Sequence, residues 1–168
     1  MTVSISWSQQ RTSSSAAASP VVIKKLPDTG QVTSYTSTYG EDADYSINIP
    51  SFTANGNGTV TDNTTGLMWQ QTDGGEMTIE KASTYCDTLT LGGYTDWRLP
   101  TGLESFSILN HDKLNPAMDV TYFPKTIAEY WWTSERRADD ATKAWATNAG
   151  GGIGAHPKSE TISAGGTK

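Results

Sequence analysis

Hydrophobic and polar positions along the chain change period several times, and each change marks an expected element. Val21-Val22-Ile23 and Val32-Thr33-Ser34-Tyr35 read as short strands separated by the turn residues Pro27-Asp28-Thr29-Gly30. Asn55-Gly56-Asn57-Gly58 is a turn signal. Thr59-Val60-Thr61-Asp62 then runs through Asn63-Thr64-Thr65-Gly66 into Leu67-Met68-Trp69-Gln70, which predicts a hairpin. Ile79, Ala82, Cys86 and Leu89 recur at helical spacing after a capping Thr78, with Gly92-Gly93 as the stop. Pro100-Thr101 followed by Glu104 reads as a capping box opening a second helix. That helix should turn Leu103, Phe106 and Leu109 inward and end near Asn110.

The last third has the period of strands: Tyr130-Trp131-Trp132-Thr133-Ser134, then Ala144-Trp145-Ala146-Thr147-Asn148, then the glycines Gly150-Gly151-Gly152. Two early helices followed by a strand meander predict an α+β fold, with two helices packed on twisted antiparallel strands and many loops. Trp97, held between the helices by turns on both sides, is expected to be buried. Residues 1–50 read as an arm with short strands and 51–168 as the domain. The arm passes through Gln9-Gln10-Arg11-Thr12-Ser13-Ser14-Ser15-Ala16-Ala17-Ala18-Ser19, which has too little apolar surface to order itself. It is expected to lie on its own domain or on a neighbouring subunit, with Ile5 and Trp7 as contacts and a homo-oligomer as one outcome.

Composition narrows the partners. A length of 168 residues suits one substantial core, and 35% hydrophobic residues with 6 Trp describe a loop-rich domain built on a few large aromatics. The net charge of −6 opposes attraction to nucleic acid or anionic membranes. No apolar run reaches the roughly 20 residues of a membrane span, so membrane insertion is not expected. Met1-Thr2-Val3-Ser4-Ile5 lacks the charged and apolar regions of a secretory signal. Either a signal was removed before this numbering, or the protein leaves the cytoplasm within an assembly. The single Cys86 excludes an intrachain disulfide and a cysteine metal cluster, and reads as a small buried hydrophobe. Glu41-Asp42-Ala43-Asp44 groups carboxylates without the spacing of an EF-hand and reads as a solvated loop.

Several of these segments carry a resemblance: Val60 to Gln70, Ala82 with Tyr85-Cys86 and Leu89, Gly93-Tyr94-Thr95-Asp96-Trp97-Arg98-Leu99-Pro100-Thr101, Phe123-Pro124, Tyr130-Trp131 and Ala144-Trp145. Over about residues 55 to 155 the chain resembles the family typified by the C-terminal domain of bacterial collagen-like adhesins. The Gly-Tyr-x-Asp-Trp-Arg-Leu-Pro-Thr segment is also similar to one in formylglycine-generating-enzyme-type domains. Those domains adopt a C-type lectin fold, so the resemblance implies that fold here. C-type lectin-like scaffolds, this family included, also serve as variable target proteins of diversity-generating retroelements.

Catalytic chemistry finds little support in the residues. His111 follows a helix end and His156 lies in a Gly-rich stretch, and neither has a nucleophile elbow nearby. Formylglycine-type oxidation needs paired cysteines, which one Cys cannot supply. The calcium-bridged sugar loop of C-type lectins is unmatched, since Leu114-Asn115-Pro116-Ala117 is the nearest segment and no Trp-Asn-Asp follows. No cofactor or metal is expected, and no enzyme.

Binding remains. If strand alternation sends Trp131, Thr133, Trp145 and Thr147 to the core, their neighbours face outward. The expected ligand face is then Trp132, Glu135, Arg136, Asp139, Ala146, Asn148 and His156, with an aromatic beside arginine as its hot spot. The expected function is a non-catalytic receptor-binding or adhesion protein, at a virion or cell surface, whose partner is a protein or glycan. The alternative is a structural adhesin or filament subunit joined through the arm.

Overall fold

The computed structural model describes residues 23–126 and 129–168. The arm contacts Ile5 and Trp7, and Val21-Val22, lie outside the described residues.

From Ile23 to Ser51 the chain forms no strand, and its one regular piece is a 3-10 turn at Asp42–Asp44. The strand expected at Val32–Tyr35 is absent because carboxylates take the backbone donors a strand partner would take. Asp112 accepts from Val32 N at 3.2 Å and Thr33 N at 3.0 Å, and Glu41 accepts from Tyr35 N at 2.6 Å. The acidic loop is likewise tied into its own backbone, with Asp44 accepting from Gly40 N and Glu41 N.

Strands β1 (Phe52–Ala54), β2 (Thr59–Asp62) and β3 (Met68–Gln70) form an antiparallel sheet in that order, so the expected hairpin is present. Its turn is built by Asp62, which is buried but satisfied. Its carboxylate accepts from Thr64 N, Thr65 N and Thr65 Oγ1 at 2.9, 3.1 and 2.6 Å. Val60, Leu67 and Trp69 pack with Ile108, Leu109, Met118 and Phe123 into one core.

After β4 (Glu76–Met77), helix α1 spans Ile79–Thr88 and buries Ile79, Ala82 and Cys86, the face its spacing predicts. Thr78 precedes it without a side-chain cap, and the helix ends ahead of the glycines. Gly92 and Gly93, at φ 63° and 86°, instead make the turn that pairs Leu91 with Tyr94. That turn drives Trp97 inward, where it is 2% exposed and donates through Nε1 to Leu91 O at 3.3 Å.

Helix α2 (Gly102–Ser107) opens with the predicted capping box: Glu104 N donates to Thr101 Oγ1 at 3.2 Å and Thr101 N donates to Glu104 Oε2 at 2.7 Å. Phe106 and Leu109 pack on the core as expected, but Leu103 is 75% exposed, the helix ends at Ser107 rather than near Asn110, and its buried positions are Gly102, Glu104, Ser105 and Ser107. Arg98 explains the turn: its guanidinium pairs with both Glu104 oxygens at 2.7 and 2.8 Å, drawing the acidic side of the helix inward.

The remaining strands are β5 (Tyr130–Arg136), β6 (Lys143–Asn148), β7 (Gly152–Pro157) and β8 (Ile162–Ser163). With β4 they form a sheet of order β4-β8-β5-β6-β7, antiparallel except where β5 meets β8. The chain is thus mixed α and β, with two helices and eight strands in two sheets among the described residues. Thr167 bridges both Trp69 and Arg98, so the end of the chain joins the first sheet to the segment before α2.

Candidate ligand-binding site on the late strands

The geometry of β5, β6 and β7 decides which late residues are available. Cross-strand partners Trp132, Ala146 and Gly154 share one face, and Trp131, Thr147 and Ile153 share the other, as alternation requires. Thr133 and Thr147 are buried as expected, but Trp132 and Ala146, expected to face outward, are buried as well. Trp132 and Ala146 are both 0% exposed, in the core with Ile79, Ala82, Cys86 and Ile162, and Trp132 Nε1 donates to Met77 O at 2.7 Å. The reason is α1, which lays its apolar face on that side, whereas Trp131 on the other side is only half-buried and donates to Asp73 Oδ2 at 3.1 Å. A bulge then breaks the alternation. Four steps along β5 from Trp132 to Arg136 oppose two along β6 from Ala146 to Ala144, so Thr133 is buried next to Trp132, and Ser134 to Arg136 are exposed in a row.

The other expected residues separate into two groups. Glu135, Arg136 and Asp139 lie at the end of β5 and in the turn to β6. Glu135 Oε2 accepts from Gly102 N at 3.2 Å, at the start of α2, and Asp139 forms an exposed two-bond pair with Arg137 at 2.6 and 2.9 Å. The Arg137 hydrogen bonds hold the Asp139 carboxyl below the usual carboxylate range. Two of the three are therefore engaged within the protein.

Asn148 and His156 are brought to Tyr130. Asn148 is the cross-strand partner of Tyr130. The His156 ring packs on the Tyr130 ring with centroids 4.2 Å apart, and edge-on to Trp132 at 6.5 Å. Gly154 makes this contact possible, since a Cβ there would meet His156 Nε2 at 3.1 Å and Tyr130 Cε1 at 3.4 Å. His156 Nδ1 lies 3.1 Å from Glu160 Oε2, fixing the ring from the other side.

An open cleft of about 270 Å³ lies against this cluster, lined by Tyr130, Asn148, Glu160, Glu76, Glu129 and Ser163 among others. Asn148 Oδ1 accepts from Gly150 N and Ser163 Oγ donates to Glu129, and among the described residues the amide nitrogen of Asn148 donates to no partner. An aromatic edge, an amide and carboxylates around an open cleft can hold a polar ligand by hydrogen bonds and ring contact. Tyr130 and Glu160 were missed by the alternation argument. The signal for Tyr130 was the small-residue repeat Gly152-x-Gly154, which leaves room on one face of β7 for rings from a neighbouring strand.

His111 is exposed beside Leu26, Leu103 and Phe106 and does not line the Tyr130 cleft. Among the described residues no three His, Cys, Asp or Glu side chains are grouped to hold a metal ion, and no helix is long and apolar enough to cross a membrane. Burial pushes the Cys86 thiol up to about 12.

Two helices, a small sheet and a larger mostly antiparallel sheet make a mixed α and β domain with an open cleft at its late strands. The chain belongs to the Lcl C-terminal domain family, which matches residues 58–164 and so covers β2 to β8, both helices and the cleft. This is the collagen-like adhesin family to which the sequence motifs point. No curated protein matches the chain.

Proposed function

We propose that this protein is a non-catalytic, adhesin-like ligand-binding module on a C-type lectin-like scaffold, recognising a protein or glycan at a virion or cell surface. The observation that carries the reading is the cleft of Tyr130, Asn148 and Glu160, which presents an amide and carboxylates beside a ring. Family membership supports the adhesin-like part. The scaffold assignment draws on the two helices beside mostly antiparallel sheets and on Thr167 closing the domain between Trp69 and Arg98. Probing a glycan and cell-surface-protein array with the full chain tests the function. Saturable binding that Asn148→Ala with Glu160→Ala abolishes, at unchanged melting temperature, is the expected result.

The diversity-generating form of this reading places variation at exposed positions around the cleft and spares Trp132 and Ala146, because both are core. Many sequences from one source, compared over residues 130–168, test it. Random scatter of changes, core included, would count against it.

A second reading, a structural adhesin or filament subunit, is favoured by one observation. Leu26, Val32, Tyr35, Tyr39, Ile47 and Ile49 are all well exposed within one short stretch of chain. Exposed apolar side chains at that density mark contact surfaces.

A further inference from the structure

The turn between β1 and β2, Asn55-Gly56-Asn57-Gly58, contains two Asn-Gly pairs. In such a pair the side-chain amide is open to attack by the next backbone nitrogen, because glycine has no Cβ to shield it. The structure treats the two asparagines differently. Asn55 continues the backbone ladder, its N donating to Thr59 O at 3.0 Å. Its amide nitrogen, which would have to leave, donates to Thr59 Oγ1 at 2.8 Å and Thr61 Oγ1 at 3.0 Å, and its Oδ1 accepts from Thr61 Oγ1 at 3.3 Å. In Asn57 the oxygen is the better held atom. Its Oδ1 accepts from Thr59 Oγ1 at 2.7 Å and from Thr59 N at 3.3 Å, while its amide nitrogen makes one long bond, to Gly92 O at 3.5 Å. Thr59 is 1% exposed, so both donors are fixed by the fold, whereas Asn57 is open to water. The bond that Thr59 Oγ1 accepts from Asn55 also strengthens its own donation to Asn57.

We propose that Asn57-Gly58 is a self-modifying site, at which Asn57 closes on Gly58 to a succinimide ahead of Asn55. Gly58 N gives up its proton to water and attacks Asn57 Cγ, and negative charge collects on Oδ1, where the Thr59 hydroxyl and amide stabilise it as an oxyanion hole does. The Cγ–Nδ2 bond then breaks and the nitrogen leaves as ammonia, carrying the proton that Gly58 N lost to solvent. Water opens the imide at either carbonyl, giving aspartate or isoaspartate. Nothing is oxidised or reduced, and the product adds one negative charge to the formal −6 of the chain. The inference is independent of the ligand-binding reading and shares no residue with the Tyr130 cleft.

The test incubates the full chain at neutral pH and follows both asparagines by peptide mapping with mass spectrometry, which separates aspartate from isoaspartate peptides. The expected result is conversion of Asn57 about tenfold faster than Asn55, the factor of one modest hydrogen bond that strengthens in the transition state. In urea, where both pairs lose their hydrogen bonds, the two rates should converge. Thr59→Val removes the hydroxyl at nearly constant shape and should slow Asn57 about tenfold, whereas Thr59→Ser keeps the hydroxyl and should keep the rate. Equal rates in the folded chain, faster reaction at Asn55, or an intact Asn57 when the urea-unfolded chain has converted overturns the proposal. So does a Thr59→Val rate that is unchanged or higher, since the contacts of Thr59 would then be restraining Asn57 rather than activating it. If Thr59→Val does not fold, the ratio of the two sites in the unaltered chain still decides.

Discussion

At the scale of single residues, three side chains carry the arguments about core and site. Trp97 was legible in the sequence because glycine turns on one side and Pro100 on the other leave it one direction to point, and it is buried as expected. Trp97→Ala should cost roughly 3 to 5 kcal/mol, read by chemical denaturation. A loss below about 1 kcal/mol would contradict its role as a core residue. Trp132 was not legible. Adjacent tryptophans at 131 and 132 have the same composition on either face, and only the position of α1 decides which is covered. Trp132→Ala is therefore expected to destabilise the fold as severely as Trp97→Ala. Cys86, buried with its thiol pushed up to about 12, should react with a thiol reagent only as fast as the protein opens. Immediate labelling of the folded protein would place it at the surface.

At the scale of elements, local chemistry in the sequence was a good guide where both partners are close in the chain. The hairpin of β2 and β3, the face of α1 and the Thr101–Glu104 box are all of this kind. It failed where a partner comes from far away, as with Asp112 taking the donors of Val32 and Thr33 and the bulge in β5 against β6, and it also missed a near partner, Arg98, whose pairing with Glu104 turns Leu103 to water. Thr101→Ala should cost about 1 kcal/mol through loss of the cap. Glu104 adds a pH dependence. Burial alone would raise its carboxyl, but the Arg98 hydrogen bonds and the Thr101 amide outweigh this and hold it below its usual value of 4.5. A carboxyl depressed in the folded state contributes stability that is present above its unfolded value and is lost as pH falls through the folded one. Stability should therefore fall on acidification below about pH 4.5, and Glu104→Gln should flatten that part of the profile. An unchanged profile in the variant would assign the acid sensitivity to other carboxylates.

At the scale of the whole molecule, the two readings of function predict different behaviour in solution. The exposed apolar residues between Leu26 and Ile49 should cause concentration-dependent association, measurable by sedimentation. Changing Tyr35, Ile47 and Ile49 together to Ser should reduce it without lowering the melting temperature, since all three are well exposed. A monomer at every concentration would remove the main support for the assembly reading. The central claim concerns the late strands, where the candidate residues divide between the Tyr130 cleft and the β5–β6 turn. The most direct measurement compares ligand affinity, for any array hit, between Asn148→Ala with Glu160→Ala and Arg136→Ala with Asp139→Ala. The account predicts that the first pair loses binding and the second keeps it, both with native melting temperatures. Binding that survives the first pair and disappears with the second would place the site at the turn and contradict the account.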